Sequence, residues 1–218
     1  MIQLSLTDIN FPNPKYYDPE DGLIAFGGDL SPERLWFAYQ LGIFPWFNPG
    51  EEILWWCLDP RFVLYPSELK VSKSMRKVLR DNQFKITENV CFEQVMRECQ
   101  QKERVGQDGT WISEELVQSF TTLHQAGLAT SVEVWENDEL VGGLYGLKVG
   151  RVFCGESMFS KVSNASKAGF ITFVQNHLSD FDIIDCQSHT SHLESLGAKM
   201  ISKQQFLTYF DAYADESD

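Results

Sequence analysis

The sequence predicts an α+β protein: a small, irregular N-terminal domain over residues 1–62, then a larger domain over residues 63–218 built on a mainly antiparallel sheet flanked by helices. Three observations predict it. Residues 1–62 are turn-rich and hold one clear helix. Three strand-like runs follow closely between Ser131 and Ser157, separated by hairpin signals. Beyond them, helical and extended stretches alternate.

The helix of the first part has readable ends. Ser31 is an N-cap, Pro32 takes the first helical position, Glu33 suits the positive helix end, and Gly42 stops the helix. Around it, Asn10-Phe-Pro-Asn-Pro14, Asp21-Gly22 and Gly27-Gly28-Asp29 are turn material. Pro60 and Pro66 flank a short extended piece, expected to link the two domains. Helical periodicity then fits Ser72–Arg80, Phe92–Gln101 and Glu114–Ala126, the last capped by Ser113 and stopped by Gly127. The strand runs are Ser131–Glu136, Glu139–Lys148 and Arg151–Ser157, with turns at Asn137-Asp138 and Val149-Gly150. Gly142-Gly143 within the second run suggests a bulge. A helix over Asn164–Leu178 follows, then a buried strand Phe181–Cys186. A short helix Ser191–Leu196 ends at Gly197, a strand covers Ala198–Ile201, and a last helix starts near Lys203.

Composition narrows the function classes. The 218 residues can bury a sizeable core, and 43% hydrophobic with 22% charged residues is ordinary for a soluble globular protein. No apolar run is long enough to span a membrane, and the N-terminus lacks the basic and apolar stretches of a secretory signal. The five cysteines form no C-x-x-C and no zinc spacing, so reduced thiols in a cytoplasmic protein are expected. A net charge of −13 argues against nucleic acid as a partner. One segment runs the other way: Lys70, Lys73, Arg76, Lys77 and Arg80 fall together with no acid among them. Such a run is either one solvated helix face or a local phosphate patch.

The stretch from Phe44 to Arg61 holds three of the six tryptophans, two Phe, three Pro and a Gly. Pro stiffens the chain and large rings demand burial or a partner. A rigid aromatic segment can hold a flat ligand such as a nucleobase, although aromatic rings more often fill a core. His189 and His192 beside Cys186 have a loose metal-like spacing without a further ligand cluster, so no metal is expected. Cys154 and Cys186, on apolar strands, are expected to be inert.

The order of meander, helix, strand, helix and strand resembles the acyltransferase fold of the N-acetyltransferase superfamily (GNAT-like). Those enzymes hold the pyrophosphate of acetyl-CoA on a glycine-rich turn at a helix N-terminus. Here the turn reads Phe159-Ser-Lys-Val-Ser-Asn-Ala-Ser-Lys167, without glycine, which points to another acyl donor. Five groups of segments then fall together: Gly27–Pro32; Gly42–Phe47 with Leu54-Trp-Trp56; Gly109-Thr-Trp-Ile112; Phe153–Ser160 with Asn164–Lys167; and Ile184-Asp-Cys-Gln187 with Ser195–Ala198. In this order, over nearly the whole chain, they closely resemble the bacterial leucyl/phenylalanyl-tRNA–protein transferases.

The resemblance implies transfer of Leu or Phe, and less well Met, from leucyl-tRNA or phenylalanyl-tRNA to proteins with N-terminal Arg or Lys, which marks them for N-degron proteolysis. It implies Asp185 and Gln187 as the catalytic pair, which alternation along one strand would put on one face. Trp46 and Trp111 match contacts to the terminal adenosine of the tRNA. Leu144, Phe153, Gly155, Phe173 and Ile184 match the apolar pocket for the transferred side chain. Glu156 matches an acid near the acceptor peptide, and Lys73, Arg76, Lys77 and Arg80 match acceptor-stem contacts. Trp55 and Trp56 are expected in the core. No cofactor is expected, since an aminoacyl ester is already activated and positioning alone supplies roughly 7–11 kcal/mol. A monomer is expected. The rival readings are an acetyl-CoA-dependent N-acetyltransferase and a non-catalytic module that binds tRNA ends.

Overall fold

The computed structural model describes residues 2–17, 19–101 and 111–211. Gly109 and Thr110 of the expected motif, and the acidic tail beyond Asp211, lie outside them. The first part of the chain forms β1 (Ile2–Leu4), β2 (Leu23–Gly27), α1 (Pro32–Gln40), β3 (Phe44–Pro45) and β4 (Leu54–Trp56). Its strands make a sheet in the order β1-β2-β4-β3. At two to five residues each, interrupted by Gly and Pro, they are too short to show a period in the sequence. The helix is as expected: the Ser31 hydroxyl accepts from the Arg34 amide, and Gly42 takes a φ of +72° that a side chain would resist.

The remainder is β5 (Arg61–Leu64), α2 (Lys73–Arg80), β6 (Lys85–Glu88), α3 (Phe92–Gln101), α4 (Glu114–Gln125), β7 (Ala129–Glu136), β8 (Glu139–Val149), β9 (Val152–Ser160), α5 (Ala165–Asn176), β10 (Ile183–Asp185), α6 (Ser191–Glu194), β11 (Lys199–Ile201) and α7 (Lys203–Leu207). A seven-stranded sheet runs β11-β5-β10-β9-β8-β7-β6. Only the β9–β10 pairing is parallel; the others are antiparallel. The α+β architecture with a mainly antiparallel sheet is therefore as the sequence predicts. Asn137 and Asp138 take φ of +51° and +63°, the two left-handed positions of a tight hairpin turn. Among the described residues no helix is long and apolar enough to cross a membrane.

One expectation is corrected here. The piece between Pro60 and Pro66 is no linker: β5 is buried at all four positions and pairs with β10 on one side and β11 on the other. The flanking prolines mark the ends of a short interior strand, second from the edge of the sheet. One core cluster runs without a break from the small sheet and α1 into α3, α4 and β8 (Ile24, Leu35, Tyr39, Val95, Phe120 and Tyr145 belong to it). A second cluster packs α5 and α2 on the sheet through Met75, Val132, Phe153, Phe170 and Phe173.

Two bulges bend the meander. The first leaves Val141 as an extra residue beside the expected Gly142-Gly143. The second pairs Tyr145 with Ser157 and Gly146 with Gly155, so Glu156 is the extra residue of β9. Gly146 is required there, because a Cβ would drive into the carbonyl oxygen of Cys154 on the partner strand. Gly146→Ala should therefore destabilise the fold by about 1–3 kcal/mol. Thermal unfolding should show a lower melting temperature, by roughly 2–4 °C per kcal/mol for a chain of this size.

Candidate active site

Strands β9 and β10 run side by side only as far as Cys154 and Asp185. Beyond that point β10 ends while β9 continues with β8. The gap left between them is the mouth of a cavity of about 520 Å³. Its walls bring together residues that are distant in the sequence: Trp46, Trp111, Leu144, Phe153, Gly155, Glu156, Ile184, Asp185 and Gln187 all line it. Phe173 stands one layer back, its ring 4.6 Å from that of Phe153. Lys73, Arg76, Lys77 and Arg80 lie outside the cavity on the exposed side of α2, whose buried side carries Met75.

Asp185 and Gln187 do meet, but not as alternating residues of a strand. The strand stops at Asp185, and Gln187 sits in a left-handed turn with φ of +60°. That conformation costs a non-glycine residue of order 1–3 kcal/mol and needs support. Support comes from two bonds. The Gln187 amide donates to Asp185 Oδ1 at 2.8 Å, and the Gln187 carbonyl accepts from the Phe62 amide at 3.2 Å. The Gln187 side chain then donates from Nε2 to Glu156 Oε1 at 2.8 Å. With Nε2 so engaged, the amide oxygen of Gln187 faces away from Glu156.

Asp185 is fully buried and so needs a partner. Arg61 Nε and Nη2 donate to its two oxygens at 2.8 and 2.6 Å. The guanidinium lies between the rings of Phe44 and Phe206, 4.6 and 4.5 Å from their centroids. Burial alone would weaken the hold of Arg61 on its proton; the Asp185 carboxylate more than offsets this and raises its pKa. Arg61 thus holds its proton firmly.

Glu156 behaves differently. The residue reaches the cavity surface, but its Oε2 is buried. Burial pushes its pKa up to about 8 against hydrogen-bonding from Tyr39 and Gln187, with the Asp185 charge adding to the rise. The buried Tyr39 hydroxyl is turned toward Glu156 without full hydrogen-bond geometry. Burial likewise pushes the Cys154 and Cys186 thiols up, beside the Asp185 charge, which keeps them protonated and unreactive. Among the described residues no group of three His, Cys, Asp or Glu side chains converges as metal ligands do. His189 instead pairs with Glu194 at 3.2 Å.

The rim is aromatic. Trp46 is 43% exposed, the largest ring left open to solvent near the cavity. Trp56 Nε1 donates to its carbonyl oxygen at 2.7 Å, with the two rings 6.1 Å apart. Trp55 is fully buried, its indole nitrogen donating to the Gly27 carbonyl at 2.9 Å. One tryptophan of the segment is therefore core, one faces the cavity, and one braces the second.

A family described as leucyl/phenylalanyl-tRNA protein transferase matches residues 63–211, and its N-terminal domain matches residues 28–59. The chain belongs to the leucyl/phenylalanyl-tRNA–protein transferase family. It is 54% identical over 202 residues to a leucyl/phenylalanyl-tRNA–protein transferase of Flavobacterium johnsoniae, covering 92% of this chain and 95% of that one. It is 50% identical over 216 residues to the protein of that name from Pseudomonas aeruginosa, covering 98% and 95%. Among solved structures, a GCN5-related N-acetyltransferase from Anabaena variabilis superposes with a TM-score of 0.46 at 13% identity, over 66% of this chain and 38% of that one.

Several cavity and supporting residues escape a sequence reading. Phe44, Tyr145, Met158, Phe170, Thr190 and His192 also line the cavity. Phe44 lies in the aromatic segment already singled out, and His192 in the spacing read as a weak metal signal. Arg61 had a usable signal: a charged residue heading an apolar strand must find a buried partner. Tyr39 had none, being one aromatic residue on the buried side of an amphipathic helix.

The raised pKa of Glu156 sets a pH dependence of stability. In the native state the carboxyl keeps its proton up to about pH 8. The unfolded chain releases it near the ordinary value of about 4.3. Between these values the native state binds more protons, so stability falls as pH rises and levels off above about 8. Glu156→Gln removes this dependence. Its stability relative to the parent should grow across that window and then stay constant, as read by urea unfolding at a series of pH values.

Proposed function

We propose that the protein transfers leucine or phenylalanine from its tRNA to the α-amino group of an acceptor protein. The observation that carries this reading is a cavity with an apolar recess, an aromatic rim and a fixed amide at their junction, in a chain of this family. The donor's side chain enters between Leu144, Phe153, Gly155 and Ile184, with Phe173 bracing Phe153 from behind. Trp46 and Trp111 take the terminal adenosine, for which stacking is worth about 1–3 kcal/mol per base. The exposed cations of α2, Lys73, Arg76, Lys77 and Arg80, meet the phosphates of the acceptor stem. A locally basic helix lets a protein of net charge −13 bind tRNA.

In the reaction the amine nitrogen attacks the ester carbonyl carbon. The bond from that carbon to the ribose oxygen breaks, an amide forms, and the amine proton passes to the departing hydroxyl. Gln187 accepts a hydrogen bond from the attacking amine through its side-chain oxygen, the atom turned away from Glu156. Asp185 keeps Gln187 in place and offers a buried negative charge to the cationic nitrogen as it forms. Chemistry of this kind needs positioning above all. Glu156, ionised by a cationic partner, selects acceptors with N-terminal Arg or Lys. The products carry the N-termini of degradation substrates. A cytoplasmic setting goes with a charged-tRNA substrate, and the protein acts as a monomer. Methionine follows as a weaker donor, unbranched like leucine at Cβ.

Purified protein with leucyl-tRNA and a peptide beginning with Arg should yield the Leu-extended peptide, with neither metal nor CoA added. Loss of activity on chelation, restored by zinc, would overturn the mechanism. With mixed charged tRNAs, Ile and Val should transfer less than Leu, since a branched Cβ is stiff and broad at the pocket mouth. Apolar pockets separate such relatives by about 1–3 kcal/mol, so the preference is large but not absolute. Equal transfer of Ile and Leu would contradict the pocket.

Two separable tRNA contacts are also expected. Replacing the α2 cations should weaken binding of all elongator tRNAs and flatten its salt dependence. Trp46→Ala and Trp111→Ala should weaken binding of a short phenylalanyl-adenosine analogue as well, with little change in salt slope. The reverse pattern on that analogue would refute the division.

A further inference from the structure

We propose that Arg61 is a positioning residue of the transfer reaction, holding Gln187 in its working orientation through Asp185. The inference rests on the reading above, in which Gln187 meets the attacking amine. Three observations on one element carry it. The first is the bidentate pairing of Arg61 with Asp185 at 2.8 and 2.6 Å, in which Oδ1 also accepts the Gln187 amide at 2.8 Å. One carboxylate oxygen thus joins the guanidinium to the backbone of the residue in the left-handed turn. The second is the next residue of β5: Phe62 donates its amide to the Gln187 carbonyl and accepts from the Cys186 amide. Consecutive residues of β5 therefore hold the turn from both sides. The third is the seating of the guanidinium itself. Phe44 of β3 and Phe206 of α7 enclose it at 4.6 and 4.5 Å, so its plane cannot tilt without moving a ring.

The cavity lining contains Phe44 and Asp185 but not Arg61, which therefore acts through others. Phe44 immediately precedes Pro45 and Trp46 on the rim. Arg61 thus references the adenosine side and the chemical side of the cavity to one rigid group. A lysine at this position would keep the charge. It would lose the two-pronged geometry and the flat surface that packs between rings.

The test is a double-mutant cycle on turnover, using leucyl-tRNA and an Arg-initiated peptide. Arg61→Lys should lower kcat by about 10–100-fold, the scale of one bidentate charge-assisted contact, and leave KM for leucyl-tRNA near that of the parent. Gln187→Ala should lower kcat on its own. The double variant should be no slower than Gln187→Ala, because the two residues act as one unit. A lysine that only loosened the fold would multiply the two losses; that multiplicative result, or parental turnover in Arg61→Lys, overturns the proposal. Parental turnover in Gln187→Ala would instead overturn the reading on which it rests. If Arg61→Lys fails to fold, Phe206→Leu enters the same cycle. It removes one of the enclosing rings from a helix outside the cavity, and the same non-additivity with Gln187→Ala is expected. Additive losses there overturn the proposal equally.

Discussion

The fold depends on one buried ion pair. Arg61 and Asp185 are each about 1% exposed in their side chains, and neither charge could stay in that interior alone. Removing one partner of such a pair costs about 3–5 kcal/mol, because the other charge is stranded. The pair also dictates topology. It ties β5, which precedes the meander in sequence, to β10 as an interior strand one place in from the sheet edge. Through the rings of Phe44 and Phe206 it sets the small sheet and α7 against that centre. The same carboxylate then supports a backbone turn that would be unfavourable by itself. One interaction serves packing, topology and the geometry of the site together.

The cavity follows from two breaks in regular structure, both local and both forced. Strand β10 ends at Asp185 while β9 runs on, so the parallel pair opens into a gap. Beyond the opening, the bulge at Glu156 puts an extra residue into β9, and Gly155, Glu156, Ser157 and Met158 all face the cavity in succession. A regular strand would present only every second residue to one side. An apolar recess and a polar junction are therefore built from adjacent positions of a single strand. Gly146 permits this on the partner strand, where a Cβ would meet a backbone oxygen that cannot yield.

Two carboxylates of this site lie near one another in opposite conditions. Asp185 has a permanent cation and a backbone donor as partners. Glu156 has neutral partners, so burial raises it to about 8. The difference lies in their partners, a guanidinium for one and neutral groups for the other. The asymmetry is invisible in the sequence, where both are acids on apolar strands.

The sequence by itself determined the elements governed by local chemistry. The Ser31 and Ser113 caps, the Asn137-Asp138 turn and the long meander strands follow from side chains that act within a few residues of their own backbone. The motif resemblance named part of the cavity lining as well, Trp46, Leu144, Phe153, Gly155 and Ile184 among it. Only the tertiary structure decided the rest. It made the Pro60–Pro66 piece an interior strand of the sheet, because a four-residue strand is recognisable only when its partners arrive from far along the chain. It moved Gln187 off the strand and into a left-handed turn, because hydrogen bonds from distant groups can offset a local backbone cost. It paired Arg61 with Asp185 across 124 positions, since charge pairing depends on distance in space and leaves no periodic trace in sequence.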